Sequence, residues 1–415
     1  MWTHGCQFWF RLDLLPSNLQ KKYFKVMNVL MVMHLFPPEF GGGTLQGIEL
    51  AKALKRRGVN VEFLTDNGSQ RTIIDKYQGL RVTRLRTFLS QNSKLRELLY
   101  SIKIFLFILT HPKYTIIHFH SIMGFELLFL PLLSGLGRKV VIKLTLAGSD
   151  DPLAFKNRKK ISFLYMWGLK YVDEFIAIST LLKQNTLKAG IPEDKVEQIF
   201  NGVNTEKFRK LNTEKKQDLK ECLGYKHFSR LFLSVGIIEH RKGYDTLLEA
   251  WRIIKDSQDS CALLIIGPGN TKNNQIFLDL SKKIEEYEFN NVFFVGGVDN
   301  VDDYMKIADC FVFCSRMEGL PNVLIEALAA ELPVVSMNIP GITDDIIQDR
   351  DLGRICCSRN PEEFASIVLS FLNEYSPDKG KAAAKNIRAT FSIQNISEQY
   401  ICLYRRLCND TPNAY

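Results

Sequence analysis

Two glutamates, Glu318 and Glu326, lie either side of Pro321 in the stretch RMEGLPNVLIEALAAELPVV (residues 316–335). The apolar run CFVFCS before it reads as a strand, RMEGL as a loop, and PNVLIEALAA as a helix that tolerates Pro321 in its first turn. Glu318 then falls in the loop at the strand's carboxyl end, and Glu326 about a turn inside the helix. Both carboxylates can face one ligand, with the positive end of the helix between them. A ligand carrying hydroxyls at both ends and phosphates in the middle, such as a nucleotide sugar, suits that order.

A second cluster stands in SVGIIEHRKGYDTLLEAW, where Arg241 and Lys242 immediately precede Gly243 at a loop-to-helix junction. Two cations there suit a diphosphate; the alternative is a solvated charge pair. In HLFPPEFGGG, Gly41, Gly42 and Gly43 open a helix pattern and let backbone approach a ligand closely. No GxGxxG dinucleotide fingerprint is present. The run IIHFH puts His118 and His120 on one side of one strand. A metal pair is the alternative, but no nearby carboxylate or cysteine set completes a site. We expect His118 to be a buried, hydrogen-bonded core residue, and His120, last on the strand, to reach a ligand cleft.

These residues need a scaffold that gathers strand ends. The chain of 415 residues, 46% hydrophobic and 24% charged, suits two globular domains of about 200 residues each. Short apolar runs alternate with helix patterns from VMNVLMVM through EFIAIS, then again from RLFLSVG to PVVSM. That alternation predicts two doubly wound α/β domains with parallel sheets, and a ligand cleft between the carboxyl ends of both. We place an extension at 1–25, the first domain at 26–205, the second at 206–390, and a closing helix and tail at 391–415. The polar segment RKLNTEKKQDLKE after residue 208 reads as the interdomain connection, and residues 1–25 as a disordered stretch or a start assigned too early. They carry no secretory signal pattern. The nine cysteines contain no CxxC pair, which favours reduced thiols in a cytosolic protein over disulfides or zinc.

With these motifs in order, the chain resembles the GT-B-fold glycosyltransferases of the retaining family 4 type, from about Met27 to Leu407. The most specific element is EGLPNVLIEALA; PPEFGGG, IIHFHS, IAIS, NGVNTEKF, RKGYDTLLEA and GITDDII support it. The resemblance implies a nucleoside-diphosphate-sugar donor, no metal and no other cofactor. It also implies roles: Glu318 on the transferred sugar, Glu326 on the ribose, and Arg241 and Lys242 on the leaving diphosphate. Gly42 and Gly43 would help from the opposite domain, Gly319, Leu320, Pro321 and Asn322 would line the donor site, and His120 would sit beside donor sugar and acceptor. Glu318, His120 and Lys242 are thus the implied catalytic set. The closing helix would cross back onto the first domain. Three positions depart from the pattern: Ile237 stands where an arginine is frequent, and Glu331 and Pro340 stand where glycines are frequent. A nucleotide-sugar 2-epimerase and a non-catalytic partner subunit are the alternatives, opposed by the intact glutamates and Lys242.

The acceptor is less defined. Through Thr205 there are 28 Lys and Arg against 15 Asp and Glu; the remainder has 26 against 30. A basic first half points to an anionic partner there, and the chain has no nucleic-acid-binding motif. The apolar stretches 93–111 and 124–137 read as buried helices; the alternative is a surface resting on an anionic membrane near Lys94, Arg96 and Lys103. That alternative favours a lipid-linked sugar acceptor of bacterial envelope polysaccharide synthesis, at the cytoplasmic membrane face.

Overall fold

The computed structural model describes residues 27–37, 41–66, 72–86, 93–158, 161–258 and 260–408. The extension 1–25 and part of the PPEFGGG loop lie outside them. The chain divides into two compact units: one holds the residues through Ile178, Leu182–Gly202 and those from Ile393 on, the other Ser179–Leu181 and Val203–Ser392.

The first unit is built on β1 (Asn28–Met33), β2 (Asn60–Asp66), β3 (Ile73–Tyr77), β4 (Leu80–Leu85), β5 (Ile116–His120), β6 (Lys139–Leu144), β7 (Glu174–Ala177) and β8 (Val196–Gln198). They align in the order β3-β4-β2-β1-β5-β6-β7-β8. All pairings are parallel except β3 with β4. Val29 to Met33 and Ile116 to His120 are buried throughout, as central strands covered on both faces must be. Helix α1 (Gly42–Arg56) follows β1 and buries Ile48, Ala51 and Leu54 along one stripe. Gly58, at φ +84°, carries the chain out of that helix. Helix α2 (Ser93–Thr110) precedes β5, and the short α3 (Ser162–Leu169) precedes β7.

The β3–β4 hairpin is an element the apolar runs do not reveal. Charges interrupt both strands, Asp75 and Lys76 in the first and Arg81 and Arg84 in the second, and Gln78 and Gly79 turn the chain with φ of 49° and 81°.

The second unit begins earlier than the polar segment suggests. Residues read as a connection form α4 (Thr213–Cys222), whose first turn is capped by Asn212 accepting from the Lys215 backbone N–H at 3.0 Å. The chain passes between units at Gly202 and Val203 instead. Its six strands are β9 (Arg230–Val235), β10 (Cys261–Ile266), β11 (Val292–Gly296), β12 (Cys310–Phe313), β13 (Val334–Met337) and β14 (Arg354–Cys356). They form a parallel sheet in the order β11-β10-β9-β12-β13-β14. The order reverses beside β9, so the loops after β9 and β12 stand together at the sheet's carboxyl edge. Helix α5 (Tyr244–Asp256) follows β9 and sinks Leu247, Leu248, Trp251 and Ile254 into the core. Helix α6 (Asn322–Ala329) follows β12.

The closing helix, α7 (Ile393–Leu407), belongs to the first unit. Its Ile393, Ile396, Tyr400, Leu403 and Tyr404 join the core made by β1, β2, β5 and α1. Gly202 admits it: a Cβ there would stand 2.8 Å from Ile393 Cα.

Candidate functional site

The loops after β9 and β12 meet around one carboxylate. The single turn His240–Lys242 closes on Gly243, whose φ of +68° and whose approach to Cys314 leave no room for a side chain. A Cβ at Gly243 would lie 2.1 Å from the Cys314 carbonyl oxygen. The Arg241 carbonyl in turn accepts from the Arg316 N–H at 2.7 Å and from Ser315 Oγ at 2.9 Å. Arg316 also reaches Asp245, and Arg359 donates to the Ser315 carbonyl at 2.8 Å. Thus the two loops are laced by backbone and guanidinium contacts before any side chain faces a ligand.

Glu318, only 7% exposed, is the focus of that lacing. Its Oε1 accepts from Lys242 Nζ at 2.6 Å and Ser315 Oγ at 2.7 Å. Its Oε2 accepts from Arg241 Nη1 at 3.3 Å, while Arg241 Nε turns to Glu239 at 2.7 Å. Arg241 and Lys242 are therefore ion-paired with Glu318 and not a solvated pair. Ser315 is a member of the cluster that spacing does not single out.

Glu326 is in the opposite state. It lies in the second turn of α6, whose first residue is Asn322; Pro321 is the N-cap, one position earlier than expected. Residues Gly319 to Asn322 form the loop and the helix start beside Glu318. Among the described residues no hydrogen-bond donor reaches the Glu326 carboxylate. Burial pushes its pKa up to about 7; the Lys207 cation pulls down and Asp302 pushes up, and those two are paired with each other at 3.1 Å. One segment thus carries a neutralised glutamate and, a turn into the helix, one with unused acceptors.

In the first unit, Gly42 and Gly43 stand in the first turn of α1 rather than in the loop before it. Nothing lies within 4 Å of where a Gly43 Cβ would be, so that turn is open to a close approach. His118 is fully buried and its Nδ1 meets the Tyr404 hydroxyl at 2.7 Å. His120 is also buried, 5% exposed, with its ring centroid 4.3 Å from that of His118 and both ring nitrogens unpartnered. A Cβ on Gly47 of α1 would come within 3.3 Å of its Nδ1. Burial holds both imidazoles well below the usual histidine pKa, with Lys143 adding to the effect.

Lys143 is the residue that sequence reasoning passed over. It pairs in register with His120 across β5 and β6, is 3% exposed, and has no anionic partner among the described residues. Burial pushes its pKa down to about 7. The signal was a lysine inside the otherwise apolar run VVIKLTL. Among the described residues no group of three or more His, Cys, Asp and Glu could hold a metal ion.

Two of the three departures have local explanations. Glu331 adopts a φ of +61°, the left-handed conformation that glycine enters without strain. Gly341, at +73°, supplies the turn that Pro340 cannot. Ile237 follows Gly236 at the end of β9 and is partly exposed.

Residues 40–207 match the family model described as Glycosyltransferase Family 4, and residues 215–390 the one described as Glycosyl transferases group 1. The chain is 22% identical to the N-acetyl-alpha-D-glucosaminyl L-malate synthase of Bacillus anthracis, over 91% of this chain and 97% of that one. It is 25% identical to the capsular polysaccharide biosynthesis glycosyltransferase CapM of Staphylococcus aureus, over 57% of this chain and 63% of that one. Among solved structures it resembles HepE of Anabaena, crystallised in complex with UDP-glucose. The TM-score is 0.72 at 16% identity, covering 93% of this chain and all of the other.

Proposed function

Because the chain belongs to the GT-B glycosyltransferases of the family 4 type, we propose that it moves a hexosyl or N-acetylhexosaminyl group from a nucleoside diphosphate to an acceptor hydroxyl, retaining the anomeric configuration. The acceptor is a sugar or lipid-linked sugar of a bacterial envelope or extracellular polysaccharide, the class named for the CapM relative. Above all, one loop-and-helix segment holds two carboxylates in opposite states. Glu318 is neutralised by Lys242, Arg241 and Ser315, and Glu326 has acceptors to spare. That contrast suits a ligand with a ribose diol at one end, a sugar at the other, and phosphates beside the cations.

In the reaction the bond between the sugar's anomeric carbon and the diphosphate oxygen breaks, and the acceptor oxygen bonds to that carbon on the same face. The acceptor's proton passes to the departing phosphate oxygen. Glu326 holds the ribose, Glu318 orients the sugar, and Lys242 and Arg241 stabilise the negative charge that grows on the leaving group. No metal has a part in this scheme. His120, neutral and unpartnered, serves as a hydrogen-bonding wall on the acceptor side.

Hydrolysis of a panel of nucleotide sugars, with EDTA present, tests the reading. Slow release of nucleoside diphosphate from one donor, lost in Glu318→Gln, is expected. An epimerised donor without any acceptor, or activity that returns only with added divalent metal, would overturn it.

A further inference from the structure

Helix α3 presents two faces of opposite character. Tyr165, Gly168 and Leu169 are buried. At Gly168 a Cβ would lie 2.1 Å from the Leu127 carbonyl oxygen, so the helix rests directly on neighbouring backbone. The other face carries Phe163, 71% exposed, and Trp167, 44% exposed, one turn apart. Met123, Ile161 and Tyr171 extend this exposed apolar set, and the Trp167 and Tyr171 rings meet edge to face at 5.5 Å. Phe163 is the most exposed large apolar side chain among the described residues. A surface of this kind calls for an occupant.

Charge chooses it. Residues 152–172 contain Lys156, Arg158, Lys159, Lys160 and Lys170 and no acidic residue. A second copy of the chain would set these cations against their own equivalents, whereas an anionic surface would neutralise them. Arg158 also ties the apolar face to a polar one. Its guanidinium lies over the Phe155 and Tyr165 rings, at 4.6 and 5.7 Å. It also lines a cavity of about 420 Å³ with Asp151, Asn157 and Asn185.

We propose that this face docks on an anionic phospholipid bilayer. Phe163 and Trp167 enter the interfacial layer, the exposed Lys156, Arg158 and Lys170 meet headgroup phosphates, and the polar cavity is held at the lipid surface. A lipid-linked acceptor would present its head group there, and only this purpose rests on the proposed transferase function. Such docking combines apolar burial with electrostatic attraction that salt weakens. It places the contact on α3, where the sequence pointed to Lys94, Arg96 and Lys103 of α2; there Lys103 is engaged with the Arg86 carbonyl.

Co-sedimentation with phosphatidylcholine–phosphatidylglycerol vesicles decides the matter without any assay of transfer. The wild type should partition at low salt and leave at high salt, and pure phosphatidylcholine should bind far less. Phe163→Ser with Trp167→Ser should weaken partition by about tenfold or more. A Lys94→Ser, Arg96→Ser, Lys103→Ser variant should keep most of it. Because the two aromatic side chains are exposed, the double variant should melt and bind nucleotide as the wild type does, which separates docking from folding and from the donor site. Wild-type partition in the double variant would overturn the proposal. So would a wild-type dimer that becomes monomeric on the same substitutions, since the face would then belong to a second copy.

Discussion

Lys242 Nζ stands 2.6 Å from Glu318 Oε1, and Ser315 Oγ meets the same oxygen at 2.7 Å. The cation assigned to the leaving diphosphate and the carboxylate assigned to the transferred sugar therefore hold each other. In the proposed reaction, growing negative charge on the departing phosphate would draw the lysine, so leaving-group stabilisation and sugar positioning would be linked through one short contact.

Lys242→Ala should accordingly act twice. Turnover should fall by about a hundredfold or more, and donor affinity by less. Stability should fall by about 1–3 kcal/mol, because Glu318 keeps only Arg241 and Ser315. Combining it with Glu318→Gln should restore most of the stability and none of the turnover. Urea melts beside steady-state rates measure both; additive losses of stability in the double variant would mean the pair does not interact.

Glu326 titrates at about 7 in the folded protein, against 4.5 for an ordinary glutamate. In the proposed role its ionised form would accept ribose hydroxyls best, so affinity for the bare nucleoside diphosphate should rise as pH passes through about 7. The diphosphate's own ionisation acts equally on Glu326→Gln, whose weaker rise isolates the carboxylate. Glu326→Ala should cost about 1.5–3 kcal/mol of nucleotide binding. Calorimetric titration that finds unchanged affinity and the same pH profile would remove Glu326 from the ribose.

Two glycines should respond oppositely to alanine. Gly243→Ala must place a Cβ against the Cys314 carbonyl at a φ of +68°, and should cost about 3 kcal/mol or more. Gly43→Ala has open space in a helical turn and should gain up to about 1 kcal/mol. Its donor KM should nevertheless rise, because in the proposed site the added methyl would stand where the donor approaches. A thermal melt and a KM for each variant suffice; an unchanged KM in Gly43→Ala would dissociate that turn from the donor.

Lys143 gives a pH signature. Unfolded, it keeps its proton up to the ordinary lysine value of 10.5; folded, it releases it at about 7. Between those values the unfolded chain binds the extra proton, so this residue's contribution to stability rises with pH. The cost of burying the charge is in full force below about 7. Lys143→Met should be more stable than wild type by on the order of a few kcal/mol at neutral pH, with the gain shrinking toward about pH 10. Paired melts across that range check it, and a gain independent of pH would mean the lysine keeps its proton when folded, at its ordinary pKa.

What the sequence made legible follows physical reach. Glu318, Glu326, Arg241 and Lys242 lie in short segments whose strand–loop–helix order places them by local rules, so spacing was enough. The hairpin Ile73–Leu85 escaped because charges break both of its strands, IIDKY and LRVTRL, and leave no apolar run like that of a covered strand. Asn212, three residues before Lys215, was a readable cap, yet the polarity of α4 hid the helix behind it. The depth of Lys143 and the burial of His120 depend on α1 and α7 packing over the sheet, contacts between residues far apart in the chain. No window of sequence contains them.

The return of α7 also bears on how the chain is made. Its Tyr400 and Tyr404 belong to the first unit's core, but all of Val203–Ser392 must leave the ribosome before them. At roughly 5–20 residues per second that interval is about ten to forty seconds. During it the second unit gains its strands one after another, while the nascent first unit waits with His118 lacking its Tyr404 hydroxyl and an apolar groove uncovered. The part synthesised first is completed last, and that waiting form is the one chaperones and proteases meet.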